Sequence, residues 1–244
     1  MESEYPVIWV DAMYEKIRDQ NRVISMAILI VYGVNIQGKR EILSIEPMYD
    51  ESASSWEATF NHLKERGLKK VWLVVSDAHS GISSAVSRCF VGCSWQRCKV
   101  HFMRNILARV KHSDKKTVAE KLKQIWLQPD QESALRTATI FIDEYQDKYP
   151  EAIRCLESGL EDTLQFYHFH SFDKRKIAST NVLERLIKEI RRRTRVIGVF
   201  PTAESYIRLV TCCLIEYSED WLTDRCYIHE HNILDFKTTL EVAV

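Results

Sequence analysis

Residues 70–81 read KVWLVVSDAHSG, and the first half of this stretch decides the fold class. Positions 71–75 are continuously apolar and lack the alternation of a strand that faces water on one side. Such a run is typical of a strand that is covered on both faces, as in sheets with helices on each side. The polar stretch from Asp77 to Gly81 then forms a turn at the carboxyl end of the strand and leads into a short helix that ends near Phe90. This order predicts an α/β protein.

The segments before and after this strand predict a mixed sheet. Runs rich in Val, Ile, Leu and aromatic residues indicate strands at 6–10, 22–34, 40–47 and, after the short helix, 94–100. The turn at 35–39 supports a hairpin between the second and third strands. Ser54 and Glu57 have capping-box spacing and predict a helix that runs to about Arg66 and ends at Gly67.

The C-terminal part has helical periodicity instead. It predicts an all-helical segment from Phe102 to about Phe169, with starts at Asp130 and Glu151, and then helices at 181–195 and 202–222. We therefore expect a five-stranded mixed sheet with flanking helices and an all-helical insertion. The predicted division is a core at 1–101, an insertion at 102–178 and the C-terminal helices of the core at 179–244. The aromatic residues Trp126, Phe141 and Tyr145 are expected in the core of the insertion, whereas His168 and His170 are spaced like residues on one face of a strand.

The composition excludes several classes of protein. Of the 244 residues, 45% are hydrophobic and 28% charged, with seven Gly and five Pro, which excludes collagen-like and intrinsically disordered chains. The longest apolar stretch, 24–34, is too short to cross a bilayer, so no membrane partner is expected. The acidic N-terminus does not resemble a secretory signal. The seven cysteines have no framework spacing, which favours a reducing compartment, and we expect a cytoplasmic protein.

Charge is balanced overall but unevenly distributed. The chain has 34 basic and 34 acidic residues. Residues 97–116 hold seven basic side chains and one acid, and 172–198 hold nine and three, whereas 130–162 hold nine acids and three basic residues. This pattern predicts a basic binding surface and a separate acidic face, although solvated helix faces have similar patterns.

Three acids are candidates for chemistry. Asp11 and Asp77 follow apolar runs, so both are expected at the ends of strands, where carboxylates could hold a divalent metal; acids after strands also simply begin turns. On the helix at 181–195, Glu184 shares a stripe with Lys188, Arg191 and Arg195, as expected of a metal ligand beside a track for phosphates. The alternative is that Asn181 is the N-cap and Glu184 the acid of a capping box.

Four segments together resemble a known family. They are DAMYEK at 11–16, SDAHSG at 76–81, SWQRCKVHFMRN at 94–105 and the stretch 179–201. In this order they are similar to the bacterial Mutator-type insertion-sequence transposases of the IS256 family. The resemblance implies a ribonuclease H-like catalytic domain with a helical insertion before the last catalytic helix. It also implies that Asp11, Asp77 and Glu184 are the catalytic and metal-binding acids.

The activity implied by the resemblance is DNA transposition. A phosphodiester is hydrolysed at an element end, and the freed 3′-hydroxyl is joined to target DNA, with two Mg²⁺ or Mn²⁺ ions held by the three acids. The partners would be the terminal inverted repeats and target DNA, bound by a homo-oligomer. The candidates for phosphate contacts are Lys188, Arg191, Arg192, Arg193 and Arg195, with Arg97, Lys99 and Arg104 as weaker ones.

Two further features lie near these acids. Cys98 and His101 match the short cysteine and histidine motif of the family, and Cys89 and Cys93 precede them. Because this spacing is not that of a standard zinc ribbon or finger, we expect no zinc and interpret Cys98 and His101 as a buried pair near the site. His79 could touch a phosphate or a nucleophilic water, although a histidine in a turn is commonly just solvated.

One departure from the family leaves alternatives open. Family members carry a substantial N-terminal region before the catalytic part, whereas this chain begins ten residues before Asp11. The sequence alone is therefore interpreted as a catalytic fragment or a truncated gene copy. The rival functions are a ribonuclease H-like nuclease that cuts without joining, and a relic that binds DNA or assembles with intact transposase.

Overall fold

The computed structural model describes residues 1–219, 221 and 225–242, and its described part contains a five-stranded mixed sheet. The strands are β1 (Glu4–Asp19), β2 (Arg22–Val34), β3 (Arg40–Met48), β4 (Lys70–Ser76) and β5 (Ser94–Arg97). Their order in the sheet is β3-β2-β1-β4-β5. The first three strands form an antiparallel meander, whereas β4 pairs parallel to β1 and β5 parallel to β4. The predicted α/β fold class is confirmed.

Both faces of the sheet are covered. Residues 71–75 of β4 are all buried, as the unbroken apolar run predicts. Along β1, Val7 and Trp9 belong to one cluster of buried side chains, while Ile8 and Val10 belong to a second cluster on the other face. This alternation follows from the period of two in a strand.

The second cluster lies against two helices that connect the strands. They are α1 (Ala53–Glu65) and α2 (Ser80–Cys89). The start predicted for α1 from Ser54 is wrong, because Ser52 is the N-cap and its hydroxyl accepts a hydrogen bond from Ser55 N. Its predicted end is confirmed within one residue, and Gly67 follows with φ +112°, a conformation that favours glycine.

The first strand is much longer than predicted. It was expected to end at Val10, but β1 continues to Asp19 and turns through Gln20 and Asn21, which have φ of 43° and 65°. Polar residues dominate this second half, yet Met13 and Ile17 are fully buried and hold it in the sheet. Asp11 therefore lies within a strand and not at its end.

The fifth strand is shorter than predicted. It was expected over 94–100, but β5 ends at Arg97 and a helix begins at Lys99. The chain turns at Cys98, whose backbone N–H donates a hydrogen bond to Ser76 O, with an N–O distance of 2.6 Å. The buried Gln96 side chain accepts from Phe166 N and so ties the end of the strand to the helical segment.

The remainder of the described chain is helical. The helices are α3 (Lys99–Leu107), α4 (Lys115–Gln124), α5 (Gln131–Tyr145), α6 (Pro150–Glu157), α7 (Lys174–Ile177), α8 (Asn181–Thr194), α9 (Ala203–Glu219) and α10 (Glu230–Val242). The helix α5 begins directly after its N-cap Asp130, as predicted, and α6 begins at Pro150, one residue before the predicted Glu151. The predicted end of the last helix at Leu222 lies outside the described residues. His168 closes a short 3-10 helix, so placing it with His170 on a strand is wrong.

Two helices, α7 and α10, were not predicted at all. α10 folds back onto the sheet, and its Phe236 ring lies 4.8 Å from the ring of Phe169 and 5.5 Å from that of Trp72. The predicted core positions Trp126, Phe141 and Tyr145 are buried, which confirms that prediction. They share one cluster with the sheet residues Trp9 and Met13, while the division into 1–101, 102–178 and 179–244 stays a prediction. None of the helices in the described ranges is long and apolar enough to span a membrane.

Candidate active site

A cavity of about 810 Å³ opens between β1, α3 and α8. Three acids, Asp11, Glu184 and Glu189, line it together with His101. The cationic residues of its wall are Arg104, Arg185, Lys188, Arg191, Arg192 and Arg195. The cavity therefore brings the Asp11 carboxylate of the sheet next to a helix that carries both Glu184 and a row of cations.

Asp11 and Asp77 come together because of the register of the central strands. The parallel pairing of β1 with β4 ends at Trp9 and Val75, and each acid lies two residues further along the chain, Asp11 within β1 and Asp77 directly after β4. Burial and the nearby charge of Asp77 together raise the pKa of Asp11 to about 7. One Asp11 oxygen accepts a hydrogen bond from Ala12 N at 2.8 Å. These two carboxylates form an electrostatically unfavourable pair that a bound cation would relieve.

Glu184 reaches the same cavity from α8. Its Oε1 lies 2.9 Å from His101 Nε2 and 3.8 Å from Arg104 Nη1. The His101 contact lacks hydrogen-bond geometry, so this buried oxygen has no hydrogen-bond partner. The capping-box interpretation is wrong, because Thr180 is the N-cap and Asn181 already belongs to the helix. The carboxylate is directed to the cavity instead of its own helix terminus.

Cys98 connects the end of β5 to the start of α8. Its Sγ accepts hydrogen bonds from the backbone N and the hydroxyl of Thr180, each at 3.4 Å, and both residues are fully buried. Burial opposes ionisation of the thiol, but contacts with His101 and Thr180 lower the pKa of Cys98 below its usual value. The Cys98 sulfur in turn raises the pKa of His101 to about 9, against the effect of burial. His101 thus lies as a cation between this sulfur and Glu184.

The upstream cysteines lie elsewhere. Cys89 and Cys93 pack with the cluster formed by α1 and α2, on the other face of the sheet. Within the described ranges, no group of three or more His, Cys, Asp or Glu side chains is arranged to hold a metal ion. The three candidate acids therefore form a pair and a separate third member on the same rim.

The structure divides the candidate phosphate contacts into three groups. The predicted stripe of Lys188, Arg191 and Arg195 lines the cavity beside Glu184, and Arg104 and Arg192 join it. Arg193 pairs with Glu189 and Glu216, and Arg192 also donates two hydrogen bonds to Glu189, at 2.8 and 2.6 Å. Arg97 and Lys99 lie over the rings of Phe102 and Phe166, and burial lowers the pKa of both. These last two are packed residues outside the cavity wall.

Two residues near the acids were not singled out from the sequence. Arg185 lines the cavity, and its position in the basic stretch 172–198 is the sequence feature that could have identified it. Glu51, in the turn before α1, is buried enough to raise its pKa, and Asp77 raises it further. His79 lies 3.8 Å from Glu51 and outside the cavity wall. No sequence pattern marks Glu51, because only the tertiary fold brings its turn to the strand ends.

Comparison with known proteins gives consistent matches. A family model described as "Transposase, Mutator family" matches residues 1–224. The chain is 38% identical over 231 residues to the transposase of insertion sequence IS256 in transposon Tn4001 from Staphylococcus aureus, covering 93% of this chain and 59% of that protein. It is 37% identical over 239 residues to the ISRM5 transposase of Rhizobium meliloti, covering 97% of this chain and 60% of that protein.

A solved structure titled "Drosophila P element transposase strand transfer complex" also matches. It is 12% identical, with 93% of this chain and 68% of that chain covered, and its TM-score of 0.29 is below the level that indicates a shared fold. The chain spans about three-fifths of the length of the IS256 and ISRM5 transposases.

Proposed function

The chain belongs to the Mutator family of transposases, and from this premise we propose that the cavity between β1, α3 and α8 is the catalytic centre of a DNA transposase. The observation that carries the proposal is the meeting of Asp11, Glu184 and a row of cations in one cavity, with Asp77 beside Asp11. These residues lie far apart in sequence, and the fold gathers them. The proposed partners are element ends and target DNA, bound by several copies of the chain in the cytoplasm.

The donor atoms of the three acids are of the type that a divalent metal prefers, although the described residues do not gather three of them into one metal-binding group. Asp11 and Asp77 are hard oxygen ligands whose mutual repulsion a cation would offset, and Glu184 offers a buried oxygen that has no hydrogen-bond partner. When bound, two Mg²⁺ or Mn²⁺ ions supply Lewis-acid chemistry that activates the attacking oxygen and stabilises the leaving oxygen. We assign their binding to Asp11, Asp77 and Glu184.

The protein's own groups have distinct roles in the proposed reaction. In the first step a water oxygen attacks phosphorus and the bond to the 3′ oxygen breaks, which frees a 3′-hydroxyl. In the second step this hydroxyl attacks a target phosphodiester and displaces a 3′ oxygen there. Lys188, Arg191 and Arg195 would hold the phosphates beside the acids. His101 would hold the Glu184 carboxylate in place.

The test is a strand-transfer assay with the whole chain. A short duplex with a free 3′-hydroxyl is incubated with supercoiled plasmid and Mg²⁺ or Mn²⁺, and joined products are separated on a gel. Asp11→Asn, Asp77→Asn and Glu184→Gln are each expected to lower joining by about a thousandfold or more, because a lost ligand removes several kcal/mol of transition-state stabilisation. Asp143→Asn, which changes an exposed acid of α5, is the matched control.

The outcomes separate the proposed function from its rivals. Nicking without joining would identify a nuclease, and binding of DNA without either reaction would identify a relic. Joining that survives Glu184→Gln would contradict the assignment of the third acid.

A further inference from the structure

The segment between α8 and α9 exposes aliphatic side chains. Residues 195–199 are all exposed, between the buried residues Thr194 and Phe200. Val196 is 81% exposed, Ile197 42% and Val199 36%. We call residues 196–199 the 196–199 loop. Single exposed aliphatic residues are ordinary, but three within four positions mark an interaction surface.

Both ends of the loop are fixed to β1. The Thr194 hydroxyl donates a hydrogen bond to Glu15 Oε1 at 3.0 Å. Phe200 N donates to Lys16 O at 2.9 Å, and Arg18 N donates to Phe200 O at 2.8 Å. The loop therefore leaves the sheet and returns to it at defined points.

The tip between these anchors is a tight turn. Ile197 N donates to Thr194 O at 3.0 Å, and Val199 N donates to Ile197 O at 2.8 Å. Gly198 has φ +72°, which a residue with a side chain rarely adopts. A turn held in this way keeps Val196 and Ile197 at the surface, because they cannot fold back without breaking these bonds.

The charges around the loop identify its partner. Arg195, directly before Val196, lines the cavity, and the exposed Lys16 and Arg18 belong to the strand that holds Phe200. The acids Asp19 and Glu204 line a separate small cavity next to Pro201, which Arg18 also lines. An aliphatic tip continuous with a row of cations fits duplex DNA, whose stacked bases lie between two lines of phosphates.

We infer that Val196 and Ile197 form a wedge that inserts between neighbouring base pairs of the duplex held along α8. This inference rests on the proposed function and adds to it a site that distorts the DNA. Insertion buries the two side chains against base faces, and this burial offsets part of the cost of unstacking the step. The opened step would lie beyond the C-terminal end of α8, about 15 Å or more along the helix from Glu184.

The test measures unwinding of a plasmid, since an inserted side chain untwists the duplex. A mixed-sequence plasmid is relaxed by a metal-independent type IB topoisomerase in EDTA with increasing amounts of the chain, and the topoisomers are then separated. The wild-type chain is expected to lower the linking number. In the double variant Val196→Ser/Ile197→Ser, most of that change is expected to disappear at equal occupancy. Its duplex affinity should fall about tenfold, with an unchanged salt dependence.

Two further variants make the result specific. Val196→Leu/Ile197→Leu keeps aliphatic bulk and should retain unwinding. Val91 follows α2 and is 94% exposed, so Val91→Ser should unwind and bind DNA like the wild type. Since all three positions are exposed, the melting temperatures should match.

Each outcome decides between possibilities. If the double serine variant unwinds the plasmid as much as the wild type, the wedge is overturned. If that variant also loses self-association, the loop is a contact between protein chains. Salt-dependent binding by the wild type without any unwinding would overturn the wedge alone. Failure of the wild type to bind any duplex would overturn the proposed function and the wedge with it.

Discussion

The two sides of the cavity differ in their charge. On the sheet side, burial and Asp77 both oppose ionisation of Asp11. On the helix side, Glu184 already faces His101 and Arg104, and cations continue along α8. The sheet side is therefore suited to attract a cation from solution, whereas the helix side is suited to attract an anion. A site for metal-assisted chemistry on phosphates needs both properties next to each other.

The change with the largest expected effect on this contrast is the replacement of His101. The variant His101→Gln lacks the cation beside Glu184 but keeps a polar side chain. We expect strand transfer to fall by about 10- to 100-fold, as is usual for partners that orient a metal ligand. Duplex affinity should stay unchanged, since His101 is not part of the row on α8. Both are measured with the strand-transfer assay and a binding titration.

His112→Gln is the matched control, because His112 is an exposed histidine of the helical segment. An unchanged rate in His101→Gln would show that Glu184 does not depend on this contact. Metal analysis of the purified chain should find no stoichiometric zinc, and one tightly held zinc per chain would instead make Cys98 and His101 ligands.

A smaller effect is expected from the helix side. In the double variant Arg191→Ala/Arg195→Ala, the slope of log affinity against log salt should become shallower by about two units, one for each lost phosphate contact. Affinity for every duplex should fall to a similar degree, and sequence preference should not change. Binding titrations at several salt concentrations measure both.

Arg97→Ala is the control for the double variant on α8, because it also removes an arginine but one that lies outside the cavity wall. Its guanidinium lies over the Phe102 ring, 4.3 Å from the centroid, so its loss should lower the melting temperature and leave the salt slope unchanged. A double variant on α8 that lost discrimination between duplexes at constant slope would indicate that this helix contacts bases.

The smallest effect is a pH dependence from the sheet side. The pKa of Asp11 is about 7 in the folded chain, against 3.8 for an unperturbed aspartate. Between about pH 4 and 7 the unfolded chain releases this proton while the folded chain retains it, so stability falls as pH rises. In EDTA, the melting temperature of Asp11→Asn should rise relative to the wild type as the pH increases through this window and then level off. A pH-independent difference would contradict the raised pKa.

The sequence predicted the sheet best where apolar runs were unbroken. The residues of β4 are buried on both sides and are easily recognised, whereas the second half of β1 is polar apart from Met13 and Ile17 and was missed. The start of α3 was missed because Lys99 and Val100 continue the apparent strand, while the turn at Cys98 depends on a bond to Ser76 in another strand. α10 was missed because its position depends on distant aromatic rings such as Trp72.

The helix periodicity of α8 correctly placed Lys188, Arg191 and Arg195 on the stripe of Glu184. It did not show that Arg97 and Lys99 pack on aromatic rings, because Phe102 and Phe166 meet them only in the folded chain. Glu51 was missed for the same reason. Local periodicity therefore predicted the residues within one helix, and tertiary contacts decided the others.

The start of α8 is attached to the sheet by bonds between residues that are far apart in sequence, so this attachment forms late in synthesis. Trp9 Nε1 donates to Ser179 O, and Cys98 accepts from Thr180, so these bonds join residues separated by 170 and 82 positions. Ribosomes add about 5 to 20 residues each second, so Glu184 emerges roughly 5 to 20 s after the strand that ends at Ser76. The nascent polypeptide therefore passes through a period in which its central strands exist and its third acid does not. Translation itself thus delays the completion of the acid set until most of the chain has been made.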